Sequence, residues 1–189
     1  AQCRVFARDA LGLGDNNGPA TMNKAFTKEE DGSTPQRLPD LPISQHPNHV
    51  TPEGLAQLQA RKVALEAEIE RLRGHGDHMA GTWPLAVAER DLRYVEARLA
   101  SAIVIAPPED KAPPGHVQFG ATVRVADEDG REAVYTIVGE DEAAPSDGLI
   151  SAHSPLARAL LEAGVGDVVE WPKPTGIVEL EVLDIGFAR

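Results

Sequence analysis

The chain has 189 residues, and its 18 Lys and Arg against 30 Asp and Glu give a formal net charge of −12. That excess of carboxylates argues against a protein that grips nucleic acid by its phosphates, which needs clustered cations. Four Phe, two Trp and two Tyr leave little for base-stacking platforms, and the lone Cys3 excludes an internal disulfide or a zinc site of thiolates alone.

Residues 1–21 precede the first methionine, Met22, carry no long apolar stretch of the secretory type, and are left out of the functional reading as a segment that need not be native. From Thr27 to Val50 the chain contains EEDGSTPQRLPDLPISQHPNH, rich in Pro and polar residues without sustained periodicity. Residues 1–50 are therefore read as an extended or disordered leader. No apolar run approaches the roughly 20 residues that span a bilayer, and a cytoplasmic protein is expected.

Residues 51–105 carry the clearest periodic signal. Thr51 is a helix cap, Pro52 suits the first helical position, and Glu53 places an acid in the first turn. Leu55, Leu58, Lys62, Leu65, Ile69 and Leu72 then follow at alternating spacings of three and four, an apolar stripe with one polar interruption. Gly74 and Gly76 stop the helix. Thr82-Trp83-Pro84 opens a second arm, on which Leu85, Ala88, Leu92, Val95, Leu99 and Ala102 repeat the spacing. Two matching stripes joined by a short glycine-containing loop predict an antiparallel coiled-coil hairpin, its first arm, Thr51 to Arg73, about 35 Å long at 1.5 Å per residue. Trp83, at the turn, either covers the end of the stripe or contacts a partner.

Residues 106–116, with APPEDKAPPG at Ala106–Gly115, are a stiff Pro-rich linker. Beyond it the β-branched runs Gly120–Asp127 and Glu132–Val138 flank Asp129-Gly130, a hairpin-turn pair. Further strands are expected at Leu149–Ser151, Asp167–Trp171 and Ile177–Ile185, with a helix capped by Ser154 and running to about Ala163. This is a small α+β sheet domain with one helix, over residues 117–187. The charge is lopsided: residues 107–189 carry 6 basic and 16 acidic side chains, while residues 51–106 carry 7 and 8.

The strings VQFGATVRVADEDGREAVYTIVGEDEA, GLISAHSPLARALLEAGVGDVVEW and LEVLDI closely resemble the C-terminal domain of bacterial Gre transcript cleavage factors. Ile137-Val138-Gly139, Ser154-Pro155-Leu156-Ala157-Arg158-Ala159-Leu160 and Val165-Gly166-Asp167 occur in order at the family spacing. TPEGLAQL at Thr51–Leu58 and RLASAIVI at Arg98–Ile105 resemble the two ends of the family's coiled coil. The resemblance implies an FKBP-like fold for the C-terminal domain, docked on the β′ rim helices of RNA polymerase, and a coiled coil that enters the secondary channel. It implies that tip carboxylates help hold a catalytic Mg²⁺ in the polymerase, so that the factor has no metal or cofactor of its own, is no enzyme, and meets RNA only indirectly. It places polymerase docking around Asp141, Glu142, Ser154, Pro155, Ala157 and Arg158. No membrane partner is expected, and the factor is expected to act as a monomer.

The tip departs from the family. The family's tip carries an Asp and a nearby Glu, whereas Gly76-Asp77-His78-Met79-Ala80-Gly81-Thr82 supplies Asp77 alone, the candidate catalytic carboxylate. Each arm is also shorter than the family pattern by about two turns, or about 10 Å at 5.4 Å per turn. Two readings therefore stand: a factor that rescues backtracked complexes, and a rim-binding channel occupant that competes with cleavage factors without stimulating cleavage. A generic protein-interaction module is the alternative of another class. Zinc binding by His75, Asp77 and His78, or around His46 and His49, rests on unspecific spacing, and a prolyl isomerase pocket would have to come from Phe119, Tyr135, Trp171 and Phe187.

Overall fold

A computed structural model of the chain describes residues 37–74, 82–108 and 112–187. Two helices come first. α1 (Pro52–Gly74) starts where the Thr51 hydroxyl accepts the Gly54 N–H at 3.0 Å, and α2 (Thr82–Ala100) runs back along it. Lys62 pairs with Glu96 at 3.2 Å and Arg73 with Glu89 at 2.8 Å, so positions rise on α1 as they fall on α2. The predicted stripes face each other: Leu58, Ile69, Ala88 and Val95 are buried, and Lys62 keeps its ammonium at the edge between Glu66 and Glu96. The helix pair adds Val50 to its own small core of Leu58 and Val95, with Leu55, Leu65, Tyr94, Leu99 and Ala102 around it.

Val50 belongs to a feature that periodicity did not foresee. β1 (His49–Val50) lies parallel to β2 (Ile103–Val104), just beyond the end of α2. Ile103 N–H donates to Asn48 O at 2.8 Å and Ile105 N–H to Val50 O at 2.9 Å. Two-residue strands give no alternating pattern to read. Before them, residues 37–48 have no helix or strand but are tied down. Arg93 reaches Asp40 at 2.6 Å and Leu38 O at 3.0 Å, and Asn48 donates to Arg98 O at 2.7 Å and Ser101 Oγ at 3.1 Å.

The C-terminal part forms a five-stranded sheet in the order β5-β4-β3-β7-β6, from β3 (Ala121–Asp127), β4 (Glu132–Val138), β5 (Leu149–Ser151), β6 (Val168–Lys173) and β7 (Gly176–Phe187). Only β4 and β5 run parallel. The β3–β4 turn places Gly130 at φ 75°, where a residue without Cβ is favoured. A bulge where Arg124 and Val125 oppose Asp184 and Val182 leaves Leu183 unmatched on β7. Ala121, Val123, Val125, Ile137, Leu180, Val182 and Ile185 point to one face and form the core with Leu156, Ala157 and Leu160 of α3 (Pro155–Leu160).

α3 ends three residues before the expected Ala163. Glu162 N–H donates to Val117 O at 2.9 Å and Val117 N–H to Ala163 O at 2.8 Å, and Glu162 sits at φ 69°. The helix stops because the chain turns to pair with the segment ahead of β3, a partner 45 residues away that no local propensity encodes.

Candidate functional site

The start of α3 is built from local rules. Ser154 is the cap, its Oγ accepting the Ala157 N–H at 3.2 Å, and Pro155 occupies the first turn, where its missing N–H costs nothing. Pro155 and Arg158 are exposed and Ser154 is half-buried, so these three border solvent. Ala157 does not: it is fully buried with Leu156 and Leu160 under the helix. Its methyl faces the core, which corrects the expectation that it contacts a partner. Just before the cap, the ring of His153 stacks on His46 at 4.2 Å between centroids, and His49 meets Phe119 edge-on at 5.7 Å. His46 and His49 are thus divided between two aromatic partners, and Phe119, Tyr135, Trp171 and Phe187 pack against the sheet core.

Asp141 and Glu142 also turn inward. Both lie in a 3-10 turn, Glu140–Glu142, after β4. The Asp141 carboxylate accepts Arg98 Nε at 2.6 Å and the Tyr94 hydroxyl at 2.8 Å, while Glu140 takes another Arg98 nitrogen at 3.4 Å and the Ser44 hydroxyl at 2.9 Å. Arg98 is 1% exposed. Burial, and then the neighbouring Asp141 carboxylate, raise the Tyr94 phenol above its ordinary pKa. The Glu142 carboxylate accepts the Gly139 N–H at 2.9 Å, the Thr51 N–H at 3.4 Å and the Thr51 hydroxyl. These two acids, expected on the docking surface, join the helix pair to the sheet. Charge in a sequence reads as solvated surface, and their partners lie 43 and 91 positions away.

Asp77, with His75 and His78, lies outside the described residues. Trp83 is described and is 65% exposed.

The order of elements, the Ser154-Pro155 helix start and the five-stranded sheet are the frame on which relatives can be compared. The family profile described as "Transcription elongation factor, GreA/GreB, C-term" matches residues 112–187. A transcription elongation factor GreA from a Nitratiruptor species is 36% identical over 154 residues, covering 77% of this chain and 93% of its own. The chain belongs to the GreA/GreB family of transcription elongation factors. Another GreA, from Alkalilimnicola ehrlichii, is 39% identical over 127 residues, covering 64% of this chain and 80% of its own. A solved GreA/GreB factor from Nitrosomonas europaea covers 76% of this chain and all of its own at 25% identity, with a TM-score of 0.37. The similarity to the Nitratiruptor GreA is long enough to take in helix-pair residues of this Gre-family chain as well as its sheet, because 154 residues exceed the span of the C-terminal profile. Among the described residues no helix is long and apolar enough to cross a membrane.

Proposed function

We propose that this chain binds bacterial RNA polymerase at the mouth of the secondary channel, through the FKBP-like sheet domain around Ser154, Pro155 and Arg158, and presents its coiled-coil hairpin to the channel. The observation that supports this most is membership of the GreA/GreB family over both the helix pair and the sheet. The exposed start of α3 is compatible with it. Ser154 and Pro155 are fixed by the cap, while Arg158 projects one turn on. Docking through Ala157, Asp141 and Glu142 is not carried forward, since their side chains are used inside the fold. Acting on the polymerase would place the factor in the cytoplasm. In a pull-down with core polymerase, Ser154→Arg is expected to weaken binding at least tenfold; unchanged binding would put the docking surface elsewhere.

What happens after docking divides into two outcomes. A tip carboxylate at Asp77 would lend an oxygen ligand to the polymerase's own Mg²⁺, which supplies the activated water for RNA hydrolysis, and the factor would break no bond itself. The specific feature favouring the second reading, occupancy without cleavage, is that Asp77 is the only carboxylate between Gly74 and Thr82. Mg²⁺ at a shared site uses one or two protein carboxylates with near-ideal geometry. A backtracked elongation complex incubated with the factor and Mg²⁺ decides it. Short 3′ RNA products that vanish in Asp77→Ala establish cleavage stimulation, whereas absent products together with inhibition of a cleavage-competent Gre factor establish occupancy.

A further inference from the structure

The joint between the helix pair and the sheet is polar where a weight-bearing contact between two small cores would ordinarily be apolar. The cores are separate clusters, one inside the helix pair and one under the sheet. Between them stands the turn Glu140–Glu142, whose three consecutive carboxylates each reach toward the helix pair or the leader. Asp141 takes Arg98 and Tyr94 near the end of α2, Glu142 takes Thr51 at the start of α1, and Glu140 takes Arg98 and Ser44. The two ends of the hairpin are therefore held by neighbouring residues of one turn.

The geometry leaves this turn little room to shift. A Cβ on Gly54 would lie 2.0 Å from the Glu142 carboxyl carbon, and one on Gly139 would lie 2.6 Å from His49 O. Glycine at both positions lets the α1 start and the leader close onto the turn. The Thr51 hydroxyl serves twice, accepting from Gly54 N–H as the α1 cap and donating to Glu142. Asn48 locks the other side by donating to Arg98 O in the last turn of α2 and to Ser101 Oγ just beyond it.

A buried ion pair is a poor means of adding stability, because the desolvation of both charges offsets their attraction. What it supplies is direction. Apolar contact is non-directional and would tolerate rotation of one core on the other, whereas charge-assisted hydrogen bonds with fixed partners favour one arrangement. We propose that Arg98, Asp141, Glu142 and Thr51 are positioning residues that fix the angle at which the helical hairpin leaves the sheet domain, so that a factor docked by its sheet aims its hairpin in one direction. The role of the aim rests on the polymerase-docking reading; the fixed angle itself does not.

The test is a distance between the two parts in the free, full-length protein. In a Cys3→Ser background, nitroxide labels at Val63→Cys on α1 and Thr175→Cys in the β6–β7 turn, both exposed in the native chain, report the angle by pulsed dipolar spectroscopy. One narrow distance distribution is expected. Asp141→Asn keeps the side-chain shape but removes the charge facing Arg98. Glu142→Gln puts an NH₂ where the carboxylate now receives donors on both oxygens. Each is expected to broaden the distribution at least twofold or add a second population. Val182→Ala, a cavity in the sheet core, is expected to lower Tm while leaving the distribution narrow. If both carboxylate variants keep the native width and mean, or if Val182→Ala broadens it equally, the positioning role is wrong. On polymerase, the two carboxylate variants are expected to bind within about threefold of the native chain while their effect on backtracked complexes falls at least tenfold; equal losses of both would overturn the aiming role. Should the native chain not bind polymerase at all, the docking reading fails and the distance measurement still decides the joint.

Discussion

Glycine 54 shows at the scale of one residue how the joint constrains the sequence. It sits in the first turn of α1, where alanine would ordinarily help by about 1 kcal/mol. Here a methyl would collide with the Glu142 carboxyl group, and overpacking costs about 1–3 kcal/mol. Moving Glu142 also strains its bonds to Thr51 and Gly139. Gly54→Ala is therefore expected to lower unfolding stability by about 1–2 kcal/mol in urea titration, against the sign of helix propensity. Gly74→Ala at the other end of the same helix, where an added Cβ meets nothing within 4 Å, is the control and is expected to be neutral or slightly stabilising. If the two substitutions behaved alike, the close packing at Gly54 would be refuted. The sequence offers one signal here, a glycine inside a helical pattern, which lowers confidence in a helix without saying what lies against it.

At the scale of elements, what was legible follows from whether the information is local. The cap at Thr51, the cap at Ser154, the stripes on α1 and α2 and the Asp129-Gly130 turn all act within a few residues, and each is found where the pattern puts it. The leader was unreadable because its order is borrowed from α2. Arg93 donates to the Asp40 carboxylate and to Leu38 O, and that hydrogen bond holds the Asp40 carboxyl below its ordinary pKa. A depressed carboxyl pKa stabilises the attached leader above the ordinary range, about pH 4, and that support is lost as pH falls through the depressed value. At neutral pH, Asp40→Asn mimics the protonated group. It is expected to speed tryptic cleavage after Arg37 severalfold without changing cleavage after Arg131, which lies in the β3–β4 turn. Equal rates at Arg37 in both proteins would mean that the leader is held by something other than this ion pair.

For the whole molecule, the two cores differ in size in a way that predicts where it opens first. Among the described residues the sheet core has thirteen buried members, from Val117 to Ile185, whereas the helix pair has a cluster of three, Val50, Leu58 and Val95, with Ile69 and Ala88 buried outside it. Buried apolar area is the main favourable term in folding, and two helices of 23 and 19 residues with so narrow a buried seam have little else to resist opening. Their exposed ion pairs, Arg73 with Glu89 and Lys62 with Glu66 and Glu96, are screened by water and salt and add little. The hairpin therefore depends on its base, where Val50, the β1–β2 pair and the Glu140–Glu142 turn tie it to the larger core. Opening is expected to begin at the far end of the hairpin and proceed toward the joint, with the sheet last. Native-state hydrogen exchange should show the lowest protection at Glu68–Gly74 and Leu85–Arg90, intermediate protection at Leu55–Leu58 and Val95–Leu99, and the highest in β3 and β7. A uniform protection level across α1 and α2 equal to that of β3 would mean that the molecule unfolds as one unit and that the small core is stronger than its buried membership implies. A gradient rising toward Arg98 would fit a factor whose sheet domain keeps its shape while the end of its hairpin stays the most easily opened part.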